Sequence, residues 1–167
     1  MNVLFLCTGN SARSILAEAL INHWGQGRFR GFSAGSFPKG AVHPLALDLL
    51  RRLGMPSDGF RSKSWDEFAE PHAPQMDFVI TVCDQAADEI CPVWPGHPVA
   101  AHWGVPDPAA ATGNEKEQRQ AFQDAFTALE RRVKRFVELP LEELDRAAAQ
   151  REARTIGTLS PTGGALT

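Results

Sequence analysis

The feature that most constrains this chain lies near its start. A short apolar run, Asn2 to Leu6, breaks directly into Cys7-Thr8-Gly9-Asn10-Ser11-Ala12-Arg13-Ser14, after which Ile15, Leu16, Ala19, Leu20 and Trp24 recur at helical spacing. This reads as strand, loop, helix. Further strands are predicted at Arg30 to Ser33, at the β-branched run Asp77 to Val82 and around Val99 to Trp103. A helix is predicted over His43 to Leu53, closed by Gly54, and a long one from Glu115, where Phe122, Phe126, Leu129, Val133 and Phe136 recur every three or four residues. Strands alternating with helices predict an α/β chain with a parallel sheet covered on both faces. Such sheets bind ligands beyond the carboxyl ends of their strands.

At 167 residues, with 43% hydrophobic content and no internal linker, the chain is expected to form one domain. Pro140 interrupts the long helix; a shorter helix is expected from Leu141 to about Arg154, and Thr155 to Thr167, rich in Gly, Thr and Ser, is expected to be disordered. A net charge of −3 gives no basic surface for nucleic acid or anionic membrane, so any anion must be held locally. The first apolar run is too short for a signal peptide or membrane span, which predicts a cytoplasmic protein. Three cysteines without export do not make a disulfide framework. Cys83 and Cys91 lack zinc-ligand spacing, and His23, His43, His72, His97 and His102 form no triad or metal pattern, so no metal is expected. His102 is read as structural and Trp103 as packing.

The loop itself suggests an anion cradle. Backbone N–H groups of residues 8 to 14 in a tight turn form a nest, the helix end adds partial positive charge, and Arg13 can grip two oxygens with its fork. The same field is expected to hold the Cys7 thiol below its ordinary range and ionise it at neutral pH. Ser14 is placed to hydrogen-bond the sulfur, Asn10 to brace the loop through its amide, and Gly9 to permit a backbone angle that a side chain forbids. Taken alone, a cysteine and an arginine with five residues between them is a common accident; its position between strand and helix is what gives it weight. Asp107, between Pro106 and Pro108, is either a turn opener or an acid held over the cradle to protonate a departing oxygen.

Val3-Leu4-Phe5-Leu6-Cys7 through Ser14 resembles the active-site loop of arsenate reductases built on the low-molecular-weight tyrosine phosphatase fold. Phe32 to Ser36, Phe78 to Cys83 and His102 to Pro108 resemble the same family in the same order, over residues 1–138. The resemblance implies a single three-layer domain, with a four-stranded parallel sheet and the phosphate loop after its first strand. The catalytic domain is expected over residues 1–139, with residues 140–167 forming a C-terminal helix and tail. It also implies that Asp107 is the acid and that the ligand is arsenate or a phosphate-like oxyanion.

A phosphatase of this kind needs only Cys7, Arg13 and the acid. Reducing As(V) to As(III) takes two electrons, so the mechanism the resemblance implies runs through more thiols: Cys7 displaces an oxygen, Cys83 attacks Cys7 as arsenite leaves, and Cys91 passes the disulfide outward to thioredoxin. The segment 84 to 90 must then be movable. Seven residues separate Cys83 from Cys91, where thioredoxin-coupled relatives usually have six. If Cys91 is inert, glutathione with glutaredoxin completes the cycle from Cys83; each of these cysteines is otherwise a small buried residue. No bound cofactor is expected, only the external thiol reductant, and the protein is expected to be a monomer. Some relatives bind a monovalent cation behind the loop; Asn10, Glu18 and Ser33 match that site, and Lys63 stands where an Asp is expected, so its ammonium would replace the ion. The alternatives are a low-molecular-weight tyrosine phosphatase, against which Ala109-Ala110-Ala111 offers no aromatic wall after the Asp-Pro, and a non-catalytic oxyanion-binding module.

Overall fold

The computed structural model describes residues 1–89 and 92–159. Four parallel strands, β1 (Asn2–Cys7), β2 (Arg30–Gly35), β3 (Phe78–Thr81) and β4 (Val99–His102), form one sheet in the order β2-β1-β3-β4. The sheet reverses its winding on either side of β1, and the loop after β1 opens at that point, where parallel α/β sheets bind ligands.

Alternation along β1 divides the interior. Val3, Phe5 and Cys7 face one cluster, while Leu4 and Leu6 face another. On the first face lie α1 (Arg13–Trp24), α2 (Pro44–Arg52) and α4 (Glu115–Val137). Leu16 and Leu20 of α1 and Phe126, Leu129, Val133 and Phe136 of α4 are buried there, each such side chain contributing about 1.5–3 kcal/mol of apolar transfer. On the second face a 3-10 turn, Trp65–Phe68, packs Trp65 and Phe68 over Leu4, Leu6, Ala34 and Val79. That turn and the one-turn helix α3 (Asp84–Asp88) carry too few residues to show a period in the sequence.

The C-terminal region differs from the sequence expectation. Instead of one helix from Leu141, a 3-10 turn at Leu141–Glu143 is followed by α5 (Arg146–Gly157), which restarts because the Asp145 side chain accepts from Ala148 N at 2.7 Å. α5 runs past Arg154 to Gly157 and buries Ala149, Ala153 and Ile156 in the first cluster. A Cβ at Gly157 would lie 2.0 Å from the His102 carbonyl oxygen, so glycine there lets the helix close on β4. The fully buried Trp103 donates its indole N–H to Ala153 O at 2.9 Å, and buried Arg132 ties Gly104 O (2.8 Å) to Leu159 O (2.7 Å). The rest of the predicted tail, residues 160–167, lies outside the described residues.

Candidate active site

Beyond β1, residues 8 to 12 curl into a loop that enters α1 at Arg13. α1 carries no side-chain N-cap, because Ala12 stands where Asn114 and Asp145 cap α4 and α5. The positive φ in the loop falls on Asn10 (46°) rather than on Gly9, contrary to the sequence expectation. Asn tolerates this left-handed conformation better than most residues, and here its amide is bonded at both ends. Lys63 N donates to Asn10 Oδ1 at 2.9 Å and Asn10 Nδ2 donates to Ser14 Oγ at 2.7 Å. The Lys63 backbone therefore fixes which way the amide points. Ser14 Oγ accepts from Asn10 and keeps its own hydrogen for Cys7 Sγ, 2.9 Å away. The sulfur also receives Asn10 N–H at 3.2 Å and the Ser14 backbone N–H.

The loop is braced from β2 and the segment after it. Phe37 N donates to Thr8 O, Lys39 N to Gly9 O and His43 N to Ser11 O. A Cβ at Gly35 would sit 2.4 Å from Thr8 O and 2.9 Å from Cys7 O, which is why glycine ends β2. Gly9 serves a related end, with the Lys39 stem lying across it.

The direction of the Cys7 shift departs from the sequence reading. Burial pushes the thiol above its ordinary range; the Ser14 hydrogen bonds oppose this, nearby Cys83 adds to it, and Arg13 opposes it more weakly. Arg13 has little hold on the sulfur because its guanidinium is engaged elsewhere: Nη1 donates to Val105 O at 3.1 Å and Nη2 lies 3.7 Å from Asp107 Oδ2. A hollow of about 200 Å³ is lined by Cys7, Thr8, Gly9, Ser11, Ala12, Arg13 and Asp107, together with Phe37, Lys39 and Gln85. Larger hollows lie elsewhere, such as the one of about 540 Å³ between α2 and α4, but it contains no nucleophile. Asp107 accepts from Ala109 N at 3.0 Å, so it opens a turn and faces the cradle at once.

Cys83 is buried at the end of β3, where Ala86 N–H meets its sulfur at 3.4 Å and Thr8 Oγ1 lies 3.7 Å away. Thr8 Oγ1 also donates to Glu89 Oε1 at 3.0 Å. Cys91 lies outside the described residues. Behind the loop, Ser33 Oγ donates to Glu18 Oε1 at 2.5 Å. Burial raises Glu18, with Ser33 and then Lys63 opposing, and burial lowers Lys63, with Glu18 opposing. Lys63 Nζ itself donates to Arg61 O at 3.0 Å. Its charge thus acts on Glu18 from a distance. Among the described residues no three His, Cys, Asp or Glu side chains gather as a metal set would.

Sequence reasoning missed Phe37, Lys39 and Gln85 at the mouth, which no motif marked. It also left His102 without a partner, although His102 bonds Thr81 Oγ1 and Asp84 Oδ1, each at 2.7 Å. An aromatic residue from another segment, the exposed Phe37, lines the hollow.

A parallel α/β sheet with a cysteine and an arginine in the anion loop after β1, and an Asp-Pro across from them, defines a thiol-dependent oxyanion enzyme of the phosphatase kind. The chain belongs to the low molecular weight phosphotyrosine protein phosphatase family, whose sequence model matches residues 2–150. An arsenate reductase of Shouchella clausii is 35% identical over 136 residues, covering 81% of this chain and 94% of the relative. The crystal structure of an arsenate reductase from Archaeoglobus fulgidus matches with a TM-score of 0.65 at 27% identity, covering 82% of this chain and 99% of that one. A thioredoxin-dependent arsenate reductase of Corynebacterium glutamicum matches with a TM-score of 0.53 at 25% identity, over 80% of this chain and 61% of that one. The family and fold expected from the sequence are thereby borne out. No helix among the described residues is long and apolar enough to cross a membrane.

Proposed function

We propose that this chain reduces arsenate to arsenite with Cys7 as nucleophile and Cys83 as the second thiol. The observation that carries the reading is a second buried thiol, Cys83, that meets the Cys7 loop at the Thr8 hydroxyl. Ester hydrolysis has no use for it.

In this reading residues 8 to 14 hold the oxyanion through backbone N–H groups and the Arg13 fork. Cys7, kept protonated by burial, passes its proton to the oxyanion and attacks arsenic. The displaced oxygen leaves as water with a proton from Asp107. Cys83 then bonds to the Cys7 sulfur and its thiol proton passes to an oxygen on arsenic; the sulfur–arsenic bond breaks, its electron pair goes to arsenic, and arsenite departs. An external thiol reductant, thioredoxin through Cys91 or two glutathiones with glutaredoxin, reopens the disulfide. Asn10, Glu18, Ser33 and Lys63 support the loop, the Lys63 ammonium standing in for a cation. The protein acts as a cytoplasmic monomer and holds no metal.

Phosphoester hydrolysis is the second reading. Phe37 favours it, as an aromatic wall at the mouth suits an aryl phosphate. The test is arsenite production by the reduced protein with thioredoxin, thioredoxin reductase and NADPH, beside glutathione with glutaredoxin and a phosphoester control. Arsenite from either system is expected, and loss of it in C83A. Ester hydrolysis without arsenite would overturn the reductase reading.

A further inference from the structure

Cys83 sits one residue before α3, a helix of five residues that cannot hold its own shape by hydrogen bonding alone. Two carboxylates fasten it to rigid parts of the fold. At its first residue Asp84 Oδ1 meets His102 Nε2 at 2.7 Å, and at its C-cap Glu89 Oε1 accepts from Thr8 at 3.0 Å. An ionised carboxylate only accepts, so His102 Nε2–H donates to Asp84. His102 Nδ1 bonds the Thr81 hydroxyl at 2.7 Å. The imidazole therefore grips residues 81 and 84, on either side of Cys83, from the end of β4. A Cβ at Gly104 would lie 2.7 Å from Asp84 Oδ1 and 2.8 Å from His102 Nε2, so the pair is seated directly over a bare α-carbon.

We infer that His102, with Asp84, and Glu89, with Thr8, are positioning residues that clamp α3 at both ends and hold the Cys83 thiol where it can attack Cys7. The inference rests on the reductase reading for the attack but on geometry alone for the clamp. Without it, Cys83 would sample many positions and lose the advantage of an intramolecular attack. The clamp also suits a segment that must later let Cys83 go. The fastening at Asp84 is a side-chain hydrogen bond at the surface, the Asp84 side chain being 91% exposed, and bonds of that kind open readily.

Amide hydrogen exchange of residues 85–89 in the reduced full-length protein reads the clamp directly. D84N is expected to raise exchange roughly two- to fivefold, as for a solvent-screened pair. H102A, which frees residues 81 and 84 together, is expected to raise it about tenfold, and D84N in the H102A background is expected to add little. E89Q is expected to loosen the C-terminal half of α3. Thr8→Ser, which keeps the hydroxyl, is expected to match the parent where Thr8→Val does not. In rapid-mixing single turnovers the rate of Cys7–Cys83 disulfide formation is expected to fall by similar factors, measured against Cys7-dependent phosphoester hydrolysis by the same variant. Unchanged exchange in both H102A and E89Q would overturn the clamp. Raised exchange with an unchanged ratio of the two rates would overturn its role in positioning Cys83. If the unsubstituted protein makes no arsenite, the reductase reading fails, and exchange still decides whether the clamp exists.

Discussion

Replacing Ser14 by Ala tests the part of the site on which nucleophilicity most depends. Cys7 is 3% exposed, and burial pushes its thiol up; the Ser14 hydroxyl at 2.9 Å is the principal opposing contact from a side chain. A hydrogen bond to a charged group contributes about 1.5–3 kcal/mol, and one pKa unit corresponds to about 1.36 kcal/mol. Losing the hydroxyl should therefore raise the thiol further above its ordinary range. At a fixed pH below that range the thiolate fraction, and with it the rate of alkylation by iodoacetamide, falls roughly ten- to hundredfold. The Ser14 and Asn10 backbone N–H groups remain, so the change should not abolish reactivity. Asn10→Ala, which leaves the hydroxyl in place but removes its orienting partner, should have a smaller effect. The assay is the pH dependence of Cys7 alkylation in reduced protein, followed by peptide mass spectrometry. Stability supplies a second readout with a fixed sign. Because the folded-state value is raised, the folded form keeps its proton longer than the unfolded one; stability is full below the unfolded thiol pKa and is lost as pH rises above about 8.5. S14A should steepen that loss. A Cys7 midpoint that stays put or moves down in S14A would refute the claim that the Ser14 hydroxyl donates to the sulfur.

Gly35→Ala should cost about 1–3 kcal/mol in urea unfolding and weaken phosphate binding, because its Cβ meets the backbone oxygens of Thr8 and Cys7; an unaltered urea midpoint would contradict the close approach. Asp107→Asn should lower the first chemical step about a hundredfold to ten-thousandfold with little change in stability, measured as single-turnover phosphoester hydrolysis. Lys63→Ala removes a charge that holds Glu18 down, so Glu18 should titrate higher still. Activity of that variant should become dependent on potassium if the ammonium stands in for an ion, and indifference to potassium would count against that role. Removing residues 140–167 strips the partner of the Trp103 indole and uncovers the first cluster, which should cost about 3 kcal/mol or more in urea unfolding.

The strands were legible as short apolar and β-branched runs, the mark of strands buried on both faces, and the long helix because its period repeats several times: β1 feeds two cores, and α4 occupies the range its apolar residues mark out. The anion loop was legible because its chemistry is contiguous, with nucleophile, arginine and orienting serine inside eight residues. What escaped were contacts assembled from distant segments. Phe37 and Lys39 reach the hollow only because β2 ends at Gly35 against the Cys7 loop, and nothing around them in the sequence announces a destination. His102 gained its role from Asp84, eighteen residues before it. The direction of the Cys7 shift was misjudged for a related reason. Sequence shows that Arg13 is near, but only packing shows that its guanidinium is turned to Val105 and Asp107 while the sulfur is sealed from water.

That correction changes how the two chemistries compete in one cradle. A thiol held down by Arg13 would be ionised before any ligand arrived and would repel a doubly charged oxyanion. A thiol held up by burial meets the anion as a neutral group, and transferring its proton to the ligand removes repulsion as the nucleophile forms. Either a phosphoester or arsenate can accept that proton, so the first step does not choose between them. The choice falls to what happens at the sulfur afterwards. Water can cleave a phosphorus–sulfur bond without changing oxidation state, whereas an arsenic–sulfur bond can be opened from the sulfur end by a second thiol, leaving its electrons on arsenic. In the proposed reading, reduction therefore depends on a thiol reaching Cys7 faster than water does, and burial of Cys83 beside the Thr8 hydroxyl, at the head of a helix with bonds at both ends, would favour the thiol.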